Sequence, residues 1–238
     1  YEKRKIEKKN LTNIINEIRE GNLVGVNVTV PFKKLIIPFL DELDSTAEET
    51  KSVNTLFKVN NKIVGYNTDK TGFATTIKDV YPVKDMGIIN NLEKKTVFIL
   101  GAGGVTASII CAFKHNETKI FLSNRTKEKA NELKKNFPEL EILDWGQRPS
   151  NFDIAINTTS IGLEANERIS LDFSDCDKDR NKLFYDLIYN PRETNFLKEA
   201  KLRGNKIMNG QKMFLNQAMY AFKIWTNIII YLIIFINI

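Results

Sequence analysis

The first part of the chain shows a helical spacing of apolar residues followed by a strict alternation. Apolar side chains recur at helical spacing over residues 11–19 and stop before Gly21, which predicts a helix. Valines then occupy every second position over residues 24–30, between Gly, Asn and Thr. This alternation predicts a strand with one apolar face that ends at Pro31, because proline cannot donate to a sheet ladder. Polar residues, among them Lys33, therefore cluster at or just beyond its carboxyl end.

A predicted hairpin and a helix follow. Residues 53–59 and 62–66 are rich in β-forming residues, and the Asn60-Asn61 pair between them predicts a tight antiparallel turn. Residues 72–80 are predicted to be helical. The stretch 81–95, which contains Pro, Gly and paired Asn, is the best candidate for a linker between two domains.

The second half of the chain alternates strand and helix patterns. A short apolar run predicts a strand, the sequence Gly-Ala-Gly-Gly predicts a turn, and an apolar helix pattern then opens at Val105. That first strand is predicted at 97–100, and further strands are predicted at 119–123, 140–143, 152–157 and 183–188, with a helix at 126–137. Alternation of this kind is typical of α/β proteins. The sequence therefore predicts two domains, an open, mostly parallel α/β domain and a Rossmann-like, doubly wound one.

The glycine turn is a candidate dinucleotide site because it lies between a predicted strand and a predicted helix. Gly101 would make the tight turn, Gly103 would let a pyrophosphate approach the backbone, and the N-terminus of the helix would supply free N–H groups. Gly104 completes the turn, and Thr106 stands where the usual pattern has a third spaced glycine. An ordinary strand-to-helix turn of an α/β protein is the competing interpretation.

The end of the next strand indicates which dinucleotide the turn would bind. An NAD site would carry an acidic residue there, to hydrogen-bond the ribose 2′-hydroxyl. The chain has Asn124, Arg125 and Thr126 instead, with Lys129 one helical turn further on. A guanidinium, an amide, a hydroxyl and an ammonium suit a 2′-phosphate, so the sequence favours NADP over NAD.

A hydride-transfer enzyme also needs a group that gives and takes a proton. The single histidine, His115, falls in a polar turn and is predicted to be a surface residue. Lys33 and Asp69 both follow predicted strands of the first domain, where ligand sites of open α/β sheets lie, and such a pair can act as general acid and base. By this argument alone, a surface salt bridge explains the two residues equally well.

Composition narrows the class of protein. The 238 residues are 42% hydrophobic and 27% charged, which argues against a disordered, collagen-like or multi-spanning membrane protein. The net charge of +6 is compatible with an anionic ligand, but a chain rich in Lys, Asn and Ile explains it equally well. Residues 228–238 are strongly apolar yet shorter than the roughly 20 residues that span a bilayer, so we expect a buried or docking terminal helix.

The two cysteines, Cys111 and Cys176, lie far apart in the sequence with no metal-ligand spacing around them. We therefore expect no disulfide framework, no metal site and a cytoplasmic location. The expected partners are small molecules, without nucleic acid or membrane, and the expected assembly is a monomer or a homodimer.

Several stretches, in the same order along the chain, resemble the shikimate dehydrogenases. Their number and order, more than any one of them, carry the resemblance, which covers about residues 18–225. They are Gly25 to Lys33 (GVNVTVPFK), Val53 to Thr55, Asn67 to Asp69 with Gly72, Gly101 to Gly104, Asn124 to Thr126, Asn157 to Gly162, Tyr185 to Tyr189 with Pro191 and Thr194, and Gly210 to Met213 with Gln217.

The resemblance implies an enzyme that reversibly reduces 3-dehydroshikimate to shikimate with NADPH, a step of aromatic amino-acid (chorismate) biosynthesis. Lys33 and Asp69 would be the proton-transfer pair. The substrate would contact Thr29, Asn54, Asp69, Tyr189 and Gln217, and the cofactor would contact Gly101, Ala102, Gly103, Gly104, Asn124, Arg125, Thr126, Lys129, Asn157, Thr158, Ser160 and Gly210.

The resemblance also implies a domain division and an active-site cleft between the domains. Residues 1–85 together with 211–238 would form the substrate domain, and residues 86–210 would form the NADP domain. Two departures stand out: the family's first strand and its Ser-x-Ser-Pro turn have no counterpart, so we expect an N-terminally truncated chain, and the tail after Trp225 is more apolar than is usual. The alternatives are a quinate/shikimate dehydrogenase of broader specificity and a non-catalytic relative that binds shikimate or a nucleotide.

Overall fold

The computed structural model describes residues 1–81, 92–114, 117–178 and 181–227. His115, most of the predicted linker and the apolar tail 228–238 lie outside these residues. The described residues form two sheets with helices around them, so the predicted two-domain α/β fold class is confirmed. No helix in these ranges is long and apolar enough to cross a membrane.

The first sheet has the strand order β1-β3-β4-β2. Its strands are β1 (Gly25–Asn27), β2 (Glu42–Leu43), β3 (Thr55–Val59) and β4 (Lys62–Tyr66). β3 and β4 form the predicted hairpin, and Asn60 and Asn61 both have positive φ, as a tight primed turn requires. β1 is antiparallel to β3, and among the described strands of this sheet only β2 and β4 pair in parallel. This sheet is therefore less parallel than the sequence predicts, because the hairpin places two antiparallel neighbours at its centre.

The first strand is shorter than its valine alternation predicts. Only Gly25 to Asn27 pair with β3, and Val28 donates its N–H to the Asn54 carbonyl oxygen at 2.7 Å. The chain then turns, because Phe32 N–H bonds back to the carbonyl of Thr29 at 2.8 Å. Val24 and Val30 are consequently 67% and 68% exposed, so the prediction of one continuous apolar face is wrong at both ends.

The second sheet is fully parallel, with the order β10-β9-β8-β5-β6-β7. Its strands are β5 (Thr96–Leu100), β6 (Lys119–Ser123), β7 (Glu141–Leu143), β8 (Ile154–Asn157), β9 (Leu183–Asp186) and β10 (Lys206–Met208). The strand order reverses between β5 and β8, which is where open α/β sheets bind ligands. In β5, Val97 and Ile99 join one core cluster while Phe98 and Leu100 join another, so both faces of the sheet are covered.

The helices are α1 (Leu11–Arg19), α2 (Phe32–Leu35), α3 (Ser45–Thr50), α4 (Thr68–Val80), α5 (Thr106–Phe113), α6 (Lys127–Asn136), α7 (Asn195–Leu202) and α8 (Gln211–Thr226). α1 covers the first sheet with its predicted apolar stripe. α4 begins four residues earlier than its apolar pattern predicts, because the Asn67 side chain accepts a hydrogen bond from Lys70 N–H at 3.0 Å and caps it. β2, α3, α7 and β10 are not predicted from the sequence.

α8, which follows the second sheet along the chain, packs on α4, which follows the first. Asn216 donates to the Thr76 hydroxyl at 3.0 Å, and the Thr75 and Tyr220 hydroxyls are 3.1 Å apart. Near the start of both helices, a Cβ atom added at Gly72 would lie 2.8 Å from the backbone nitrogen of Gln217. Only a glycine at this position lets the two helices approach so closely.

Candidate active site

A cavity of about 460 Å³ lies between the first sheet, α4, α8 and the loop after β9. The sequence-predicted residues that line it come from distant parts of the chain and are Thr29, Lys33, Asn54, Asp69, Tyr189, Gly210 and Gln217. The remaining lining residues are Tyr1, Asn27, Val28, Val105, Leu187, Met213 and Phe214. The fold therefore brings the predicted substrate and proton-transfer residues to one cavity.

Lys33 and Asp69 form an ion pair on the cavity wall. Lys33 lies in α2 and Asp69 in the first turn of α4, and the Lys33 Nζ donates to Asp69 Oδ2 at 2.5 Å. Their side chains are 13% and 10% exposed, which is incompatible with a surface salt bridge. An ammonium and a carboxylate in contact, both reaching a cavity, can hold or pass a proton at a ligand oxygen.

The polar wall of the cavity is a network of short side chains. Asn54 is buried, accepts a hydrogen bond from Thr68 N–H at 2.8 Å and donates to the Thr68 hydroxyl at 3.0 Å. Asn27 donates to the Asn54 carbonyl oxygen at 3.2 Å and to the Thr55 hydroxyl at 3.1 Å. Gln217 Oε1 lies 3.4 Å from the Thr68 hydroxyl. A wall of fixed amides and hydroxyls suits a small polyhydroxylated ligand, because each ligand hydroxyl can find a partner.

Asn27 was not among the predicted site residues, although it belongs to the same alternating stretch as Thr29. The apolar wall, formed by Val105, Leu187, Met213 and Phe214, was also missed. Nothing in the local sequence distinguishes these apolar residues from core residues, since their placement depends on how α8 and the loop after β9 pack.

The glycine turn has the conformation that the sequence predicts. Gly101 has a φ of 103°, and a Cβ there would lie 2.7 Å from the Thr158 hydroxyl oxygen. Ala102 N–H donates to Asn124 Oδ1 at 2.9 Å, so the turn is tied to the end of β6. A Cβ at Gly103 would have no neighbour closer than 3.9 Å, which leaves the backbone open to a ligand.

The end of β6 and the start of α6 carry three positively charged side chains. Arg125, Thr126 and Lys129 are exposed, and neither Arg125 nor Lys129 makes an ion pair within the described part of the chain. Lys127 between them is paired with Asp144 at 2.6 Å, and this contact raises the pKa of Lys127. The open glycine backbone and the unpaired cations fit a dinucleotide with a 2′-phosphate.

The predicted cofactor residues after β8 have structural partners as well. Asn157 is buried, and its Oδ1 accepts hydrogen bonds from the N–H and hydroxyl of Thr159 at 3.0 and 2.6 Å. The Thr158 hydroxyl donates to the Leu100 carbonyl oxygen at 2.8 Å, beneath the glycine turn. Ser160 is exposed. At Gly210 a Cβ would lie 1.9 Å from the Leu187 carbonyl oxygen, so only glycine fits there.

A buried carboxylate that sequence reasoning missed organises the loops around these residues. Asp186 is fully buried at the end of β9 and accepts hydrogen bonds from Asn157 Nδ2 at 3.0 Å, Ile188 N–H at 3.0 Å and the Thr194 hydroxyl at 2.6 Å. Burial raises the pKa of Asp186, and these three donors oppose the shift. The carboxylate ties the turn after β8, the loop after β9 and the start of α7 together.

The glycine turn and α5 contact the elements that carry the Lys33–Asp69 ion pair directly. A Cβ added at Gly104 would lie 3.7 Å from Lys33 Cδ, so the Lys33 stem runs past the turn. Ser108 of α5 donates to Asn67 Oδ1 at 3.1 Å, and both residues are buried. Asn67 also caps the helix that carries Asp69, so the candidate dinucleotide site and the ion pair are in contact through a few residues.

The second sheet is parallel and has a glycine turn at its switch point, and beside it lies a polar cavity with a largely buried Lys–Asp ion pair. This combination is typical of a dinucleotide-dependent dehydrogenase with an α/β fold. Comparison with known proteins specifies the family. Residues 1–56 match the shikimate dehydrogenase substrate binding domain, and residues 85–207 match the shikimate/quinate 5-dehydrogenase family. The chain belongs to the NADP-dependent shikimate dehydrogenase family.

Individual relatives agree with this assignment. The chain is 49% identical over 230 residues to a shikimate dehydrogenase (NADP(+)) of Pelagibacter ubique, covering 96% of this chain and 83% of that protein. The crystal structure of shikimate dehydrogenase from Aquifex aeolicus superposes with a TM-score of 0.82 at 36% identity, covering 95% and 80%. The Thermus thermophilus enzyme, solved in complex with NADP(H) and shikimate, superposes with a TM-score of 0.78 at 28% identity, covering 94% and 80%.

Proposed function

We propose that this chain catalyses the reversible, NADP-dependent reduction of 3-dehydroshikimate to shikimate in aromatic amino-acid biosynthesis. The observation that carries the proposal is the Lys33–Asp69 pair on the wall of a polar cavity, with the Lys33 stem running past the glycine turn. The family membership gives the substrate and the cofactor. When bound, NADPH supplies the hydride that reduces the ring carbonyl.

Lys33 and Asp69 handle the proton at the reacting oxygen. In the reducing direction Lys33 donates to the oxygen as it gains negative charge, and Asp69 keeps the ammonium in place. In the reverse direction the pair accepts the proton of the substrate hydroxyl. Support comes from their contact at 2.5 Å and from the low exposure of both side chains.

The polar wall binds and orients the substrate. Asn54, Thr29 and Gln217 hydrogen-bond the ring hydroxyls, and Tyr189 lies near the substrate carboxylate. A substrate analogue that lacks one hydroxyl leaves a buried partner unpaired, which costs on the order of 1–3 kcal/mol. This difference is the source of specificity.

The residues that would hold the cofactor lie at the carboxyl ends of strands of the second sheet. Gly101 to Gly104 would hold the pyrophosphate, and half-buried Asn124 with the exposed Arg125, Thr126 and Lys129 would hold the 2′-phosphate. The part of the cofactor that leads to the nicotinamide would contact Asn157, Thr158 and Ser160, and the nicotinamide itself would lie near Gly210.

The two binding functions fall to different parts of the chain. We assign residues 1–85 and 211–238 to substrate binding and residues 86–210 to NADP binding, supported by the packing of α8 on α4. Closure of the cleft would bring the two sets of residues together. We further propose a cytoplasmic enzyme, since both cysteines are free and buried, and a monomer or homodimer whose mass light scattering can measure.

A test of the cofactor assignment uses Arg125→Ala, with Lys127→Ala as the matched control. Lys127 carries the same charge two residues away but is already paired with Asp144. We expect Arg125→Ala to lower kcat/KM for NADP by roughly tenfold or more while leaving kcat/KM for NAD nearly unchanged, because a hydrogen bond to a charged group contributes about 1.5–3 kcal/mol. An unchanged preference for NADP in Arg125→Ala would contradict the assignment.

The name of the matched family includes quinate, which makes a broader quinate/shikimate dehydrogenase the second candidate. Initial rates with shikimate and with quinate, at saturating NADP, distinguish the two. We expect kcat/KM for shikimate to be much higher. Comparable values for the two acids would favour the second candidate.

A further inference from the structure

We propose that Phe214 is a positioning residue that holds the Tyr189 ring against the cavity. The two rings are stacked, with centroids 5.0 Å apart and an interplanar angle of 24°. Both line the cavity, and both are unusually exposed for aromatic residues, at 46% and 43%. The proposal rests on the proposed function, in which the Tyr189 hydroxyl faces the substrate.

Two hydrogen bonds fix the backbone directly before Tyr189. Ile188 N–H donates to Asp186 Oδ1 at 3.0 Å, and the Ile188 carbonyl oxygen accepts from Gly210 N–H at 3.2 Å. The Tyr189 hydroxyl has no hydrogen-bond partner within the described part of the chain. The stack on Phe214 is therefore an aromatic contact that can restrict the direction of the Tyr189 ring.

The backbone of Phe214 is fixed in α8. Its N–H donates to the Gly210 carbonyl oxygen at 2.9 Å in the first turn of α8, and its own carbonyl oxygen accepts from Gln217 Nε2 at 3.0 Å. The close approach at Gly72 fixes this part of α8 against α4. Phe214 thus transmits the position of the substrate-side helices to a side chain on the loop after β9.

The stack also links the two units across the cavity. Tyr189 follows β9 of the parallel sheet, whereas Phe214 belongs to the helix that packs on α4. A ring held in this way is preorganised for the substrate, so less freedom is lost on binding. We expect the effect mainly in KM for shikimate, because orientation of a binding hydroxyl is needed before the chemical step.

The size of the effect follows from the stack. Aromatic pairs contribute interaction free energies that correspond to about two- to tenfold in an equilibrium constant. Phe214→Ala should raise KM for shikimate by about three- to tenfold and change kcat by less than about twofold. Phe214→Tyr keeps the ring and should restore the wild-type KM.

The test is a double-mutant cycle of Phe214→Ala and Tyr189→Phe, measured as KM and kcat for shikimate. Phe222→Ala is the matched control, because Phe222 lies on the same helix with 37% exposure and does not line the cavity. If Phe214 acts through the Tyr189 hydroxyl, Phe214→Ala raises KM in the wild-type background and has little further effect in Tyr189→Phe. The proposal is overturned if the two substitutions raise KM independently, so that their factors multiply in the double variant. It is also overturned if Phe222→Ala raises KM as much as Phe214→Ala does.

A second readout does not depend on turnover. In protein with labelled tyrosines, the Tyr189 ring signal, assigned with Tyr189→Phe, should carry a ring-current shift that disappears in Phe214→Ala and returns in Phe214→Tyr. A signal that is the same in Phe214→Ala overturns the stack whatever the activity. Wild-type protein that turns over neither shikimate nor quinate overturns the proposed function and the substrate part of this inference, while the ring shift still decides whether Phe214 positions Tyr189.

Discussion

The close approach of α4 and α8 at Gly72 offers a test of how the helices place the substrate residues. In Gly72→Ala, the added Cβ would lie 2.8 Å from Gln217 N, 2.9 Å from Gln217 Cβ and 3.0 Å from the Met213 carbonyl oxygen. Ordinary contact distances are about 3.5–4.0 Å, so these atoms must retreat by roughly 0.5 Å or more. Because two of the three are backbone atoms, no side-chain rotation can relieve the contact, and α8 itself has to move.

The magnitude follows from two opposing terms. Overpacking typically costs about 1–3 kcal/mol, whereas alanine is favoured over glycine inside a helix by about 1 kcal/mol. We expect a net loss of about 1 kcal/mol, which lowers Tm by roughly 2–4 °C for a chain of this size. The shift also moves Gln217 relative to Asp69, so kcat/KM for shikimate should fall on the order of tenfold, since a misplacement of 1 Å can cost about a hundredfold.

Thermal unfolding and steady-state kinetics measure both effects. Lys78→Ala is the control, because Lys78 is exposed on the same helix, away from the contact. Its Tm and kcat/KM should remain close to those of the wild type. If Gly72→Ala also keeps the wild-type Tm and kcat/KM, the close approach does not position Gln217 and the reasoning is refuted.

Two further predictions concern buried polar groups. The folded-state pKa of Asp186 is raised by burial, so the stability that this group contributes is greatest below the usual aspartate pKa and is lost as pH rises through the raised value. As pH falls from 7 towards about 4, the Tm of the wild type should therefore improve relative to the Tm of Asp186→Asn. A difference in Tm that does not change with pH would contradict the buried charge. The Tyr185 hydroxyl is buried without a hydrogen-bond partner among the described residues. Tyr185→Phe should therefore stabilise the fold by about 1 kcal/mol, which raises Tm by roughly 2–4 °C, and should leave kcat and KM unchanged. A lower Tm would show that the hydroxyl has a partner.

The nucleotide half of the molecule could be predicted well because its signals are local. A buried strand, a glycine turn and an apolar helix follow one another within a few residues, and the structure has β5, the turn and α5 at these places. Arg125 could be interpreted in the same way, since its position after β6 fixes it near the turn. Local order along the chain is enough when the binding elements are consecutive.

The substrate half depends more on tertiary packing. The valine alternation around Val26 is a correct strand signal, but the strand is short. The bond from Val28 N–H to the Asn54 carbonyl oxygen is in register with the β1–β3 ladder, and the chain turns directly after it, where Phe32 N–H bonds to the Thr29 carbonyl oxygen. Asn54 and Gln217 are separated by much of the chain, and only the resemblance to a family suggested that they act together. Phe214 had no signal at all, because its stacking on Tyr189 exists only once α8 has packed on α4.

The central claim is that Lys33 and Asp69 transfer the proton in an NADP-dependent reaction. The most direct measurement is the initial rate of shikimate-dependent NADP reduction by the wild type and by Lys33→Ala, together with the Kd of each for NADP. We expect wild-type turnover, a fall in kcat of roughly 100-fold or more in Lys33→Ala, because a general acid–base group is lost, and an unchanged Kd for NADP. A Lys33→Ala protein with the wild-type kcat would contradict it.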